Sequence, residues 1–191
     1  MKPEDIKIRP ATRSDVDFIA CTVLESIDKD PDTEPEMFGC LRNLCIFDDT
    51  LYSYKFATIC EVSGVVVGAV IKYPGKDYVD LRKRTLEFIY QKTGLDLTPN
   101  ALETGPGEYY IDSMFVDPDY RGLGIGKKLL GYCIFSCSFP DSTLTLLVDS
   151  KAPGLQKLYS ECGFRPIGEM ENFGRTYIKM GRNYNDEFPN I

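Results

Sequence analysis

Three glycines at alternate positions mark the most informative segment of this 191-residue chain. Gly122, Gly124 and Gly126 follow a strand-like run and stand at the start of an amphipathic helical pattern. Glycine lets the backbone turn tightly and approach a ligand without a Cβ atom in the way. The first N–H groups of a helix are unpaired, and the helix dipole adds partial positive charge there. The segment therefore predicts a phosphate or pyrophosphate site, with Arg121 and Lys127 adding full charges at its rim.

Two common phosphate motifs do not fit this segment. A P-loop needs G-x-x-x-x-G-K-S/T, but Gly126 and Lys127 are followed by Lys128, and Arg121 occupies the position of the first glycine. A dinucleotide-binding fingerprint needs G-x-G-x-x-G, and the third residue after Gly124 is Lys127. A glycine-rich turn that binds no ligand remains the alternative.

The absence of histidine limits the acid–base chemistry that the chain can perform. It excludes a Ser-His-Asp triad, a Cys-His pair and histidine-ligated zinc or haem. A base must then be a carboxylate, a tyrosinate, a cysteine or a water chain. Asp112 stands among apolar residues of a strand-like run, where burial would raise its pKa and suit it to act as a base or proton relay. Asp112 could instead cap a loop, pair with an arginine or order the strand end. Glu108 is a weaker candidate for the base.

Strand alternation predicts which side chains accompany Asp112. One face would carry four residues: Tyr110, Asp112, Met114 and Val116. The other would carry Tyr109, Ile111, Ser113 and Phe115.

The elements that position these residues follow from hydrophobic periodicity. Helices are predicted near residues 12–27, 37–45, 78–92, 126–137 and 153–162. Strands are predicted at 6–8, 57–62, 65–73, 109–116, 143–148, 164–170 and 175–180, with a turn at Ser63 and Gly64. We interpret residues 1–191 as one mixed α/β domain with a core at about 5–181, an insertion at 74–107 and a polar tail at 182–191.

Composition narrows the cellular setting and the partners. The chain has 22 basic and 29 acidic residues, so its net charge of −7 argues against sequence-independent nucleic-acid binding. Its first residues do not resemble a signal peptide, and no apolar run approaches about 20 residues, so we expect no membrane association. Seven cysteines without a C-x-x-C pair fit a reducing cytoplasm, and no metal site is predicted.

Two motifs, and the order in which they follow each other, resemble those of the GCN5-related N-acetyltransferases (GNAT). The family pattern Arg/Gln-x-x-Gly-x-Gly/Ala matches residues 121–126, after a strand ending in Met-Phe-Val-Asp-Pro. A second feature, Leu-Tyr-x-x-x-Gly-Phe, matches residues 158–164. The order of elements agrees over roughly residues 5–181. The resemblance implies one mixed, mostly antiparallel twisted sheet of about seven strands flanked by helices.

The resemblance also implies acetyl-CoA as co-substrate, bound in a V-shaped cleft between two splayed strands, with no metal. The backbone of three strand residues would pair with the pantetheine amides: Met114, Phe115 and Val116. The following loop would hold the pyrophosphate through seven residues: Arg121, Gly122, Leu123, Gly124, Ile125, Gly126 and Lys127. Many family members have an asparagine before the Leu-Tyr pair, and Ala152 stands there in this chain, which removes one side-chain contact.

Catalytic roles follow from the same resemblance. Base or proton-wire residues of the family often match Tyr110 and Asp112, and we expect Asp112 to act directly or through water. Tyr159 matches the family tyrosine that protonates the leaving thiolate, although it could also be a core tyrosine. A backbone N–H near residues 114–115 would stabilise the oxyanion, and the amine would attack directly in a ternary complex. Three cysteines on apolar helix faces argue against an acetyl-cysteine intermediate: Cys133, Cys137 and Cys162.

Several alternatives remain open at the level of sequence. The chain could be a non-catalytic acyl-CoA-binding or regulatory module, or it could transfer another acyl group. The acceptor could be a protein N-terminus, a polyamine, an amino acid or an aminoglycoside, and a homodimer is not excluded. The acidic segment 28–36 favours a cationic amine unless it is only a solvated loop. Three aromatic residues in or beside the insertion are candidates to shape the acceptor pocket: Tyr73, Tyr78 and Phe88.

Overall fold

A computed structural model of the protein describes residues 6–97, 101–136, 142–183 and 186. Its strands and helices are, in chain order, β1 Ile6–Pro10, α1 Val16–Ser26, α2 Pro35–Ile46, β2 Ala57–Val62, β3 Val65–Pro74, α3 Tyr78–Thr93, β4 Glu108–Val116, α4 Ile125–Phe135, β5 Thr143–Asp149, α5 Pro153–Glu161, β6 Arg165–Asn172 and β7 Arg175–Asn183. No helix among these described residues is long and apolar enough to cross a membrane.

The described strands form one seven-stranded sheet in the order β1-β2-β3-β4-β5-β7-β6. Neighbouring strands are antiparallel except β4 and β5, which are parallel. The predicted mixed, mostly antiparallel sheet with flanking helices is therefore confirmed. Two tight hairpins join β2 to β3 through Ser63 and Gly64 and β6 to β7 through Phe173 and Gly174, and all four turn residues have positive φ. Such turns match the twist of the strands that they join.

Two hydrophobic clusters cover the two faces of the sheet. Alternate residues of β3 show this arrangement, because Ile71 and Tyr73 belong to one cluster and Val70 belongs to the other. The first cluster contains buried side chains of α1, α2 and α3, and the second contains those of α4 and α5. Side chains on opposite faces of β4 therefore enter different surroundings.

Two apolar residues within the predicted helices 12–27 and 153–162 are exposed. Ile27 is 51% exposed because α1 ends at Ser26 and the chain turns away at Asp28, which has a φ of 59°. Leu155 is 47% exposed because it lies in the first turn of α5, one turn before the buried Tyr159. The predicted end of α4 at Cys137 and most of the predicted tail at 182–191 lie outside the described residues.

Candidate active site

The parallel strands β4 and β5 part in the middle of the sheet. Their pairing runs from Glu108 opposite Thr143 to Ile111 opposite Leu146. Both strands continue beyond this point, since β4 is paired with β3 as far as Val116 and β5 is paired with β7 as far as residue 149. Each strand is thus held on its outer side while the inner sides separate. The result is the V-shaped cleft that the resemblance implied, opening beyond Ile111.

A β-bulge lies at the point where the cleft begins. In the pairing of β3 with β4, Ile71 stands opposite Ser113 and Lys72 stands opposite Ile111, so Asp112 is an extra residue in β4. An extra residue bends a strand and re-aims its side chains. The bulge therefore places Asp112 directly at the mouth of the cleft.

The bulge makes the predicted alternation of β4 wrong. Ser113 and Phe115 face α1, because the Ser113 and Ser26 Oγ atoms are 3.1 Å apart and the Phe115 and Phe18 rings are 6.0 Å apart. Met114 and Val116 pack against the opposite cluster, beside α4 and α5. The extra residue at the bulge reverses the alternation beyond Asp112. Ser113 and Phe115 therefore lie on the face predicted for Met114 and Val116, and Met114 and Val116 lie on the face predicted for Ser113 and Phe115.

Asp112 is held by two hydroxyl groups. Tyr73 Oη donates to Asp112 Oδ2 over 2.5 Å, and Ser113 Oγ donates to Asp112 Oδ1 over 2.8 Å. Burial raises the pKa of the Asp112 carboxyl above its usual value, although both hydrogen bonds oppose this effect. The direction of this shift is the one predicted for a buried Asp112, and its role as a base stays a prediction.

Glu103 is a second, partly buried carboxyl that the sequence did not single out. Glu103 Oε2 accepts a hydrogen bond from Tyr110 Oη at 2.9 Å, and Oε1 accepts one from Asn172 Nδ2 at 2.8 Å. Burial, followed by the negative charge of Asp112, raises its pKa to about 7. Glu103 stands in a loop without periodicity before β4, where nothing but its residue type could have drawn attention to it.

Close contact between its two ends fixes the segment that carries Glu103. A Cβ atom on Gly75 would lie 2.2 Å from the Gly105 carbonyl oxygen, so the two ends of segment 74–107 touch. Thr104 Oγ1 donates to Glu108 Oε2 over 2.8 Å, and Lys179 Nζ lies 2.8 Å from each Glu108 carboxylate oxygen. Glu108, the competing candidate for the base, is thus fully engaged in anchoring this loop.

Three tyrosine rings pack around the two carboxyl groups. The ring centroids of Tyr73, Tyr78 and Tyr110 lie 5.9–6.4 Å apart. Burial and the nearby carboxylates raise the pKa of Tyr110 well above 10, so at neutral pH its hydroxyl is a proton donor rather than a tyrosinate. Of the three aromatic candidates for the acceptor pocket, Tyr73 and Tyr78 are in this cluster. Phe88 instead makes an edge contact with Phe47 at 5.5 Å.

The glycine loop has the backbone that the sequence predicted. Gly122 and Gly124 have φ values of 80° and 75°, and α4 begins directly after Gly124. A Cβ atom on either glycine would meet nothing within 4 Å, so the backbone conformation rather than crowding favours glycine here. Leu123 between them is 42% exposed, whereas Ile125 is buried and anchors the helix to the sheet.

The charges at the rim of the loop already have partners. Arg121 Nε donates to the Val116 carbonyl oxygen over 3.0 Å, and the guanidinium lies 5.9 Å from the centroid of the Phe115 ring. Lys127 Nζ lies 3.0 Å from Glu161 Oε2, which offsets part of its charge. Gly126 lies in the first turn of α4, where an added Cβ would only touch Leu158 at 3.6 Å.

Tyr159 lies in the cluster on the α4–α5 side, with its ring 6.1 Å from that of Phe164. Burial raises the pKa of its hydroxyl to about 12, so it carries its proton at neutral pH. The hydroxyl partners of Asp112 lie on the other face of the sheet, and the structure does not bring Asp112 and Tyr159 into contact. The cysteines nearest this region, Cys133 and Cys162, are buried, and burial raises the pKa of the Cys162 thiol.

A mixed sheet that opens between two parallel strands, beside a glycine turn at the start of a helix, defines the acyl-CoA N-acyltransferase fold. The sequence model for the acetyltransferase (GNAT) domain matches residues 57–166. The chain belongs to the GNAT family, and it is an N-acetyltransferase. Solved structures agree over nearly the whole chain. An acetyltransferase crystal structure is 30% identical, with a TM-score of 0.77 and coverage of 94% of this chain and 100% of the other.

A second structure and one curated relative are also similar. The N-acetyltransferase from Staphylococcus aureus Mu50 is 26% identical, with a TM-score of 0.79 and coverage of 92% of this chain and 100% of the other. The peptidyl-lysine N-acetyltransferase YjaB from Salmonella typhimurium is 31% identical over 70 residues. That match covers 36% of this chain and 46% of the relative, so it spans less than half the length of either protein.

Proposed function

We propose that the protein transfers the acetyl group of acetyl-CoA to a primary amine by direct attack within a ternary complex. The observation that carries this proposal is the opening between β4 and β5 beside the glycine loop. A strand edge free of its neighbour offers N–H and C=O groups to an extended ligand, much as an added strand would use them. The start of α4 offers N–H groups to phosphate oxygens.

Two groups of residues would hold the co-substrate. The backbone of residues 114–116, beyond the last pair of β4 with β5, would bind the pantetheine amides. Loop residues 121–127 would bind the pyrophosphate, and the open space around Gly122 and Gly124 would let the phosphates reach the backbone. Arg121 and Lys127 would add positive charge at the rim. Most of this site is backbone, so Ala152 in place of asparagine would cost one contact only.

The reaction needs a proton acceptor and a proton donor. In the proposed mechanism, the acceptor's ammonium loses a proton to Asp112, directly or through water, and the free amine nitrogen attacks the thioester carbonyl carbon. A backbone N–H near residues 114–115 stabilises the oxyanion. The new C–N bond forms as the C–S bond breaks, and Tyr159 donates its proton to the leaving thiolate. The nitrogen gives up its second proton as the amide forms, and this proton restores the Tyr159 hydroxyl through solvent. The raised pKa of Asp112 and the protonated state of Tyr159 support these roles.

The ε-amine of a peptide lysine is the first acceptor to test, because the name of the curated relative specifies peptidyl-lysine. Protein N-termini, polyamines, amino acids and aminoglycosides belong in the same panel. The net charge of −7 supports a cationic acceptor through long-range attraction. Longer acyl-CoA thioesters, offered in parallel, test the identity of the acyl group.

The test measures release of the free CoA thiol, with acetyl-CoA and each amine of the panel, alongside binding of acetyl-CoA by calorimetry. We expect amine-dependent release that Gly124→Val abolishes together with acetyl-CoA binding. Gly64→Val is the matched control, because Gly64 has a similar φ of 82° and open surroundings but lies in the turn between β2 and β3. Binding of acetyl-CoA without turnover on any amine would instead indicate a non-catalytic acyl-CoA-binding module.

A further inference from the structure

We propose that Glu103 and Asn172 form, beside Asp112, the site that binds a primary ammonium group of the acceptor. This inference rests on the proposed acetylation of an amine and names the residues that select it. The three residues come from the loop before β4, the end of β6 and the bulge of β4.

Asn172 supplies the first argument, through the two ends of its side-chain amide. The residue is 1% exposed, and its Nδ2 donates to Glu103 Oε1 over 2.8 Å. A carboxylate only accepts hydrogen bonds, so this contact fixes the orientation of the amide. Asn172 Oδ1 is then buried without a hydrogen-bond partner among the residues that the structure describes. Buried acceptors are rarely left unpaired in folded proteins, which indicates that a donor belongs here.

The hydrogen-bond capacity of the cluster identifies the kind of donor. Glu103 receives hydrogen bonds from Tyr110 and Asn172, and Asp112 receives them from Tyr73 and Ser113. Each carboxylate has about four lone-pair positions, so the cluster can accept more hydrogen bonds than its own groups donate. A primary ammonium has three N–H groups and no lone pair, and therefore complements this excess.

Charge points to the same ligand. The two carboxyl groups accept hydrogen bonds from neighbouring tyrosines, Asp112 from Tyr73 and Glu103 from Tyr110, whose ring centroids are 5.9 Å apart. The charge on Asp112 raises the pKa of Glu103, which shows that the two repel each other. Arg82 opposes this effect but does not outweigh it, and a bound cation would relieve the remaining repulsion. Glu103 and Asp112 both keep partial exposure, so an ammonium group can enter beside the acids and then donate to the buried Asn172 Oδ1.

The pH response of binding follows from the groups around Glu103. These are Tyr78 and Arg82 of α3, Tyr110 and Asp112 of β4, Tyr52 before β2, and Tyr177 of β7. The pKa of Glu103 is about 7, so its carboxylate forms as the pH rises from 6 to 8. An alkylammonium has a pKa near that of lysine, about 10.4, and stays charged over this range. Binding of the cation should therefore strengthen with rising pH.

The experiment titrates the full-length protein with n-butylammonium by calorimetry at pH 6 and pH 8 and fixed ionic strength, with n-butanol as the uncharged control. We expect n-butylammonium to bind more tightly at pH 8, and n-butanol not to bind. Glu103→Gln should weaken binding at pH 8 on the order of tenfold and remove most of the pH response, and Asn172→Leu should weaken it several-fold. Glu171→Gln, which removes a charge from the same strand as Asn172, is the matched control and should bind as wild type does.

The inference is overturned if wild type does not bind n-butylammonium, or if Glu103→Gln binds it within twofold of wild type with an unchanged pH response. Circular dichroism of each variant verifies folding. A KM–kcat comparison provides the second measurement, because loss of the ammonium site should raise the KM of the amine more than it lowers kcat. The calorimetric test needs no turnover. Binding through Glu103 without acetylation would refute only the proposed function, and turnover with an unchanged KM in Glu103→Gln would refute only the ammonium site.

Discussion

Glu103→Gln should change how the stability of the protein depends on pH. In the folded protein the pKa of Glu103 is about 7, against an ordinary value of 4.5. Between these pH values the folded protein keeps the proton on Glu103, while the unfolded chain has released it. Unfolding then releases a proton, so stability declines as the pH rises through this interval and levels off above it. Glutamine does not titrate, and the variant should lack this decline.

The magnitude follows from the same two values. A difference of about 2.5 pH units, at about 1.4 kcal/mol for each, gives about 3 kcal/mol of stability lost between pH 4.5 and pH 7. The true value should be somewhat smaller because Glu103 keeps partial exposure. The raised pKa of Asp112 acts in the same direction and remains in the variant. We therefore expect Glu103→Gln to remove about 1–3 kcal/mol of the decline, not all of it.

Urea unfolding measured by circular dichroism at pH 5 and pH 8 tests this expectation, since the chain has no tryptophan to report by fluorescence. The quantity of interest is the difference in the free energy of unfolding between the two pH values. It should shrink by about 1–3 kcal/mol in Glu103→Gln and stay unchanged in the control Glu171→Gln. An identical difference in wild type and Glu103→Gln would refute the argument that burial and Asp112 raise the pKa of Glu103.

Further expectations concern catalysis, co-substrate binding and folding. Asp112→Asn and Tyr159→Phe should each lower kcat by about 10- to 100-fold while the Kd for acetyl-CoA stays within twofold, and wild-type rates in both would refute their roles. Gly124→Val should abolish acetyl-CoA binding in calorimetry, because valine cannot adopt a φ of 75° without strain, whereas Gly64→Val should still bind. Gly75→Ala should lower the free energy of unfolding, measured in urea, by about 1–3 kcal/mol, because its Cβ would lie 2.2 Å from the Gly105 carbonyl oxygen. Wild-type stability in this variant would contradict the contact between Gly75 and Gly105.

Features that depend on neighbouring residues could be predicted from the sequence. The turn at Ser63 and Gly64, the helix after Gly124 and the proline at the start of α5 are local signals, and the structure contains all three. The resemblance extended these local signals to the whole sheet. Its assignment of Asp112 and Tyr159 as base and acid remains a prediction for kinetics to test.

Features that depend on distant pairing could not be predicted. The bulge at Asp112 exists because of the register between β3 and β4, which no pattern within β4 specifies. Glu103 belongs to the site because its loop closes against Gly75 and because Asn172 lies 69 residues further along the chain. Both contacts arise only when segment 74–107 and the β6–β7 hairpin reach the same end of the sheet.

The separation of β4 and β5 also limits how strongly the two halves of the sheet are joined. Among the described residues, β4 and β5 pair through four residues of each strand, so only this short ladder joins the two halves of the sheet. A pantetheine chain bound along β4 would add hydrogen bonds beyond the last pair of β4 with β5. Saturating acetyl-CoA at 100 times its Kd would add about 2.7 kcal/mol to the stability of the folded protein. Slower amide hydrogen exchange in β4 and β5 upon binding would show that the bound co-substrate stabilises the two strands against local opening.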